Sequence, residues 1–189
     1  MRQTPNPHHR TAAQLQEGLA AAQASPREEG RLEMIVRRPK VGGREVIDAG
    51  ELDAVEGLVG DTWRLRESSR TPDGTPHPEM QLTLMNSRVA ALIAGSRERW
   101  PLAGDQLYVD LDISEDNVPP GTRLAIGTAV VEVTPEPHTG CGKFVKRFGV
   151  DAMKFVNSRR GRQLHLRGIN ARVVRPGAIR VGDAVRKIG

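Results

Sequence analysis

From Arg31 onward, apolar and polar residues alternate with a period of two, the pattern of half-buried β-strands. Leu32, Met34 and Val36 alternate with Glu33, Ile35 and Arg37, and Leu82 and Leu84 with Gln81 and Thr83. The longest run sets Leu107, Val109, Leu111 and Ile113 against Tyr108, Asp110, Asp112 and Ser114. Further short strands are predicted at Arg123–Ile126, residues 129–134, 163–167 and 170–174, and Ala184–Ile188. Four corners share an apolar–Gly–Asp/Thr form: Val59-Gly60-Asp61, Ala103-Gly104-Asp105, Ile126-Gly127-Thr128 and Val181-Gly182-Asp183. Glycine admits positive φ there, and the next side chain can bond the local backbone.

Three segments carry a helical signal. Residues 11–24 are rich in Ala, Gln and Leu, with Thr11 as N-cap and Ser25-Pro26 as stop. Their Leu15/Leu19 stripe is narrow, which predicts an appendage outside the core. Ser87–Ala94 places Val89, Leu92 and Ile93 on one face, with Ser87 as cap and Gly95 as stop. Gly142–Asn157 turns Phe144, Val145 and Phe148 inward and Lys143, Lys146 and Arg147 outward; Gly149 breaks it, and Asp151 restarts a turn carrying Met153 and Val156. Short strands with few helices predict a mainly β protein, a closed or half-closed barrel. Residues 1–30 are expected to be a disordered or helical extension and 31–189 the barrel domain.

Composition narrows the class. The chain has 189 residues, 38% of them hydrophobic, enough for one core. The longest clean apolar run is six residues, 89–94, too short to span a membrane, and the N-terminal segment lacks a signal peptide's apolar stretch. A cytoplasmic protein with no membrane partner is therefore expected. A single cysteine, Cys141, excludes an internal disulfide and any all-cysteine metal site. The net charge is +5, and 23 of the 28 basic residues are arginine, the side chain suited to bidentate recognition of phosphate or carboxylate. Six aromatics with no RNP-like or zinc-finger pattern argue against nucleic acid as the partner.

The chemistry-bearing stretch is Pro137-His138-Thr139-Gly140-Cys141-Gly142-Lys143-Phe144, where a strand gives way to a helix. Flanking glycines uncover the sulfur. The helix start offers unpaired N–H groups, and Lys143, Lys146, Arg147 and His138 add positive potential, all favouring thiolate. Cys141 is thus a candidate nucleophile, sulfur carrier or soft metal ligand, with His138 placed to orient or deprotonate it. The competing reading is an inert, small hydrophobic cysteine. The acidic run Asp105, Asp110, Asp112, Glu115 and Asp116 lacks a calcium-loop pattern and reads as a solvated strand face, and His77 as part of an exposed loop.

Taken in order, Gly104-Asp105-Gln106-Leu107, the segment 121–127, Val130-Val131-Glu132-Val133, the segment 138–144 and Arg147-Phe148-Gly149 resemble the MOSC domain, named after the C-terminal part of molybdenum-cofactor sulfurase. The runs 167–173 and 176–185 resemble its closing signature, and the whole resembles a stand-alone bacterial-type member. The resemblance implies a β-barrel whose one functional cysteine, here Cys141, either ligates molybdenum of a pterin cofactor or carries sulfane sulfur. It implies a small N-hydroxylated substrate in the reductase case, and an electron-donor or sulfur-donor protein as partner. Pyridoxal phosphate is not expected, because the family meets it only through fusion partners. A dithiolene and phosphate need arginines and polar edges around them, for which Arg88, Lys143, Arg147, Arg167 and Asn170 are the candidates, with Arg159 and Arg160 nearby. Several relatives place Pro before the cysteine and a bulky residue after it; Gly140 and Gly142 here imply a more mobile or more open loop. The rival class is a non-catalytic binding module presenting its arginine surface to nucleic acid or an acidic protein.

Overall fold

The structure, a computed structural model, describes residues 8–188. In chain order the elements are α1 (Ala12–Gln23), β1 (Glu29–Arg37), β2 (Glu45–Ile47), β3 (Ala49–Asp53), β4 (Gly57–Leu58), β5 (Leu82–Asn86), α2 (Ser87–Ala94), β6 (Leu107–Asp110), β7 (Arg123–Ile126), β8 (Ala129–Val133), α3 (Gly142–Asn157), α4 (Arg159–Gln163), β9 (Ile169–Arg175), β10 (Gly177–Arg180) and β11 (Ala184–Ile188). Seven strands close a barrel in the order β1-β6-β5-β9-β8-β7-β11, and β11 returns to β1 through Glu29↔Arg186 to Arg31↔Ala184. Every neighbouring pair is antiparallel except β5 and β6, which run parallel because α2 crosses over between them. Strand β2 extends β1 beyond the barrel, and β10, β3 and β4 form a separate three-stranded sheet. Among the described residues no helix is long and apolar enough to cross a membrane.

Two cores flank the wall made by β1, β5 and β6. The barrel interior holds Leu32, Ile35, Leu84, Leu107, Val109, Leu124, Ile126, Val131, Ala171 and Val185. Outside that wall, Met34, Val36, Met85 and Tyr108 meet Leu15, Val89, Ile93, Phe144, Phe148 and Val156 from the helices. These strands are therefore apolar on both faces. A β-bulge between Leu32 and Met34 resolves the irregular alternation of β1: Leu32 and Ile35 point inward, Met34 and Val36 outward. Tyr108, expected on the polar face, is buried, and its hydroxyl donates to the Trp100 carbonyl at 2.6 Å.

Other expectations are corrected here. The helix α1 is not an appendage: Leu15, Leu19 and Ala22 are buried in the second core, and the Ala12 amide donates to Asp151 Oδ2 at 3.0 Å. Its N-cap is Thr11, in a capping box with Gln14. The cap of α2 is Asn86 and not Ser87, since Asn86 Oδ1 accepts from the Arg88 and Val89 amides. Residues 163–167 form no strand. The Ser158 hydroxyl accepts from the Gly161 amide at 2.9 Å and starts α4, whose end supplies the Leu164/Leu166 alternation that mimics β structure.

Candidate functional site

The connection from β8 to α3 is pinned at its centre. The Asn157 side chain accepts from the Gly140 amide at 2.9 Å and donates to the Gly140 carbonyl at 3.1 Å. A Cβ at Gly140 would lie 2.9 Å from Met153 Sδ and 3.2 Å from Val156 Cγ2, so a side chain there would collide with α3. Glycine at this position lets the loop lie close against α3, whereas Gly142 faces open space.

One residue on, Cys141 is exposed and is itself the N-cap residue of α3. Partial burial pushes its thiol up, but the Phe144 and Lys143 amides, with the charges of Arg167 and Lys143, outweigh that and hold it below the ordinary cysteine value. The rate of Cys141 alkylation by iodoacetamide is therefore expected to reach half its plateau at a lower pH than for a free cysteine. A midpoint at or above the free-thiol value would remove the thiolate assignment.

Behind the loop stands a wall of buried polar side chains. Asp105 is fully buried (0% exposed) and accepts from Arg167 Nη1 at 2.7 Å, while Arg167 Nη2 donates to the Ala103 carbonyl at 2.9 Å. The Arg167 guanidinium also lies 5.2 Å from the centre of the Phe144 ring, on the first turn of α3. His138 Nδ1 is 3.5 Å from Asp105 Oδ1, too far for a good hydrogen bond, and both atoms are buried without a partner. Burial first, then the Arg167 charge, lowers His138 to about 3, with Asp105 pulling the other way, so its ring is neutral. Asn170 Nδ2 donates to the Glu136 carbonyl at 3.0 Å. Arg167 Nε and Asn170 Oδ1 are likewise buried and unpartnered. Gly168, at φ 107°, permits the contact: a Cβ there would lie 2.3 Å from the Leu84 carbonyl oxygen and 3.2 Å from His138 Nδ1.

This wall borders two cavities. The larger, about 760 Å³, runs between the segment 133–139 and the segment 156–170, and Arg159, Arg162 and His165 are among its lining residues. The smaller, about 280 Å³, is lined by Arg38, Trp63, Arg66, Met80 and Thr83. His138, Arg167 and Asn170 line both. Cys141 lines neither; its chain neighbours Thr139 and His138 do.

Of the residues singled out from sequence, Cys141, His138, Lys143, Arg167 and Asn170 are brought to this wall or to the helix start beside it. Arg88 is elsewhere, locked in a bidentate pair with Asp110 at 2.8 and 2.9 Å. Arg147 donates to the Leu102 carbonyl at 2.7 Å and lines neither cavity. Arg159 lines the larger cavity and Arg160 does not. Asp105 corrects the reading of the acidic run as solvated: its carboxylate is the buried partner of Arg167. His77 is half-buried, its Nε2 lying 3.9 Å from Glu136. The residues sequence reasoning missed are Arg38 and Asp61, a buried pair joined at 2.7 Å through both Nε and Nη2 of the guanidinium, together with Trp63 and Arg66.

A closed mixed barrel with an exposed cysteine at a helix start, backed by buried polar groups, defines the class. Residues 77–186 match the model of the MOSC domain, and the chain belongs to that family, one associated with molybdenum-cofactor-related function. Among solved structures, the YuaD protein of Bacillus subtilis is similar over 83% of this chain and 94% of its own, at 18% identity and a TM-score of 0.59. YiiM of Escherichia coli is similar over 84% of this chain and 70% of its own, at 19% identity and a TM-score of 0.55. At such identities the likeness is one of fold. No curated protein matches the chain at a significant level.

Proposed function

We propose that Cys141 is the protein ligand of the molybdenum of a pterin cofactor, in a cytoplasmic protein whose thiol stays reduced. The observation that supports this is a thiol drawn toward thiolate by the Lys143 and Phe144 amides, next to a large cavity with unpartnered polar atoms in its wall. Those atoms fit the group. Arg167 Nε is a free donor, and Asn170 Oδ1 a free acceptor, for the mixed donor and acceptor edge of a pterin. A soft thiolate suits the metal. When bound, such a cofactor supplies a two-electron reduction of an N–O bond, so the small-molecule substrate would be N-hydroxylated and an electron-donor protein would be required. The chain's own contribution is to present the thiolate, to hold Arg167 in place through Asp105, and to offer a neutral His138 as a hydrogen-bond partner.

A second reading, sulfur carriage, is favoured by the exposure of Cys141 and its position outside the lining of both cavities. There the thiolate attacks the terminal sulfur of a donor protein's persulfide, releases the donor's thiolate and keeps the sulfane sulfur. Molybdenum analysis of protein from a cofactor-competent host separates the two. Wild type is expected to retain metal and Cys141→Ala to lose at least nine-tenths of it (about tenfold). Equal retention would eliminate ligation by Cys141. Metal in neither, with a persulfide on Cys141 by alkylation mass spectrometry, would establish the carrier.

A further inference from the structure

The positive charge of the chain is not spread evenly over it. Residues 141–163 hold seven of the 28 basic residues and one of the 23 acidic ones, so elsewhere acids outnumber bases by one. The whole excess of +5 therefore belongs to Cys141, α3 and α4. Six of the seven cations, Lys143, Lys146, Lys154, Arg159, Arg160 and Arg162, are exposed. Among the described residues none of the six forms an ion pair, whereas on the barrel Arg37 pairs with Glu45, Arg123 and Arg172 with Glu132, and Arg186 with Glu29. The neighbouring acids are turned to other work. Asp151 accepts from the Ala12 amide of α1, and Glu136 pairs with Arg70. Glu115 stands at the far end of α4, where its amide donates to the Gln163 carbonyl at 2.9 Å.

The fold gathers these cations on both sides of the sulfur. Gly149, at φ 90° and ψ 170°, breaks α3 into two arms. Asn157 then ties the end of the second arm back to Gly140, one residue before Cys141. Helix α4 starts directly after that clamp, and its Arg159 and Arg162 line the larger cavity together with His138 and Thr139. Lys143 lies beyond the sulfur, in the first turn of α3. Cys141 itself is exposed and lines neither cavity, and Gly142 leaves bare backbone facing open space. Val150, 53% exposed, adds an apolar contact on the same helix. Unpaired cations on one surface repel one another, and a surface of opposite sign relieves that repulsion and is steered toward it.

We propose that α3, α4 and the Cys141 loop form the docking face for an acidic electron-carrier protein, whose carboxylates meet Lys143, Lys146, Lys154, Arg159, Arg160 and Arg162. Contact there brings the carrier's own redox group against Cys141. The interface is small and transient, as such encounters are. The inference rests on the Cys141 metal reading for what is delivered, and not for the contact itself.

The test titrates the full chain with two probes, an acidic [2Fe–2S] ferredoxin and an acidic flavodoxin, by isothermal calorimetry at low and high salt. At least one is expected to bind at low salt, to dissociate as salt rises, and to slow alkylation of Cys141 while bound. Lys146→Glu with Lys154→Glu is expected to weaken binding by at least about tenfold. Arg175→Glu with Arg180→Glu, exposed on β9 and β10, makes the same change in net charge and is expected to leave binding unchanged. Circular dichroism checks that both double variants remain folded. Binding of neither probe at low salt, or equal weakening by the two double variants, would overturn the proposal. So would tighter binding to a DNA duplex than to either carrier, lost on Lys146→Glu with Lys154→Glu, which would assign the face to nucleic acid. Carrier binding by a protein that never retains molybdenum would leave the docking face standing and the Cys141 metal reading fallen. Molybdenum retention without carrier binding would do the reverse.

Discussion

Asp105→Asn is expected to destabilise the protein by about 3–5 kcal/mol, the range for removing one partner of a buried ion pair. Asp105 is completely inaccessible and Arg167 only 8% exposed, so the guanidinium left behind would gain almost no water. Asparagine can still accept a hydrogen bond from Arg167 Nη1 but cannot offset its charge, and His138 would lose the one group that favours its protonated form. For a chain of this size the thermal midpoint should fall by roughly 10 °C. Adding Arg167→Met to Asp105→Asn is expected to recover most of the loss, because the double variant buries no unpaired charge. Urea denaturation of the two single variants, the double variant and wild type measures the coupling. A single variant within 1 kcal/mol (roughly the median for any substitution) of wild type would show that the pair does not hold this wall together.

That the wall hinges on Asp105 was not legible in the sequence, and the reason is physical. Gly104-Asp105 has the same form as the corners at Gly60-Asp61 and Gly182-Asp183, where glycine and an acid serve a turn. Two of these acids do more than turn the chain. Asp61 and Asp105 each neutralise a buried arginine that is 23 or 62 positions away, and only the closed barrel brings the partners together. Asp183 stays local, with Oδ2 accepting from the Arg180 amide. A period-two pattern reports which residues face an apolar core; it says nothing about which charged residues meet at a barrel's end. The same limit explains Arg88. Its position just after a helix cap suggested an anion site, yet the structure spends its Nε and Nη2 on Asp110 of the neighbouring strand β6 and its Nη1 on the Ala21 carbonyl. Cys141 was legible because its chemistry is local: the two amides that act on the thiol, from Lys143 and Phe144, are two and three residues along the chain. The barrel was legible wherever one face of a strand met solvent and the other the interior. At β1, β5 and β6 the period marked the strands but not that the helices cover their outer faces, and β2, β3, β4 and β10 are too short or too polar to show a period.

Acid should expose the second property of this wall, the neutrality of His138. In the unfolded chain a histidine takes up a proton below about pH 6.5. In the folded protein His138 does so only near pH 3. Between these values the unfolded state binds more protons, so stability due to His138 is full above pH 6.5 and is lost progressively as the pH falls toward 3. The whole gap corresponds to at most about 5 kcal/mol, and relaxation of the site would leave about half of that. His138→Gln keeps a polar side chain of similar reach but cannot titrate. Measured by urea denaturation between pH 7.5 and 4 (a range of about three units below neutrality), wild type should therefore lose stability more steeply than His138→Gln, and the difference between them should grow with each step into acid. Parallel curves would mean that His138 is charged or free to move into water when folded. In that case the ring could not be the neutral neighbour that leaves Asp105 wholly to Arg167, and the wall would owe its positive potential to histidine as well as to arginine.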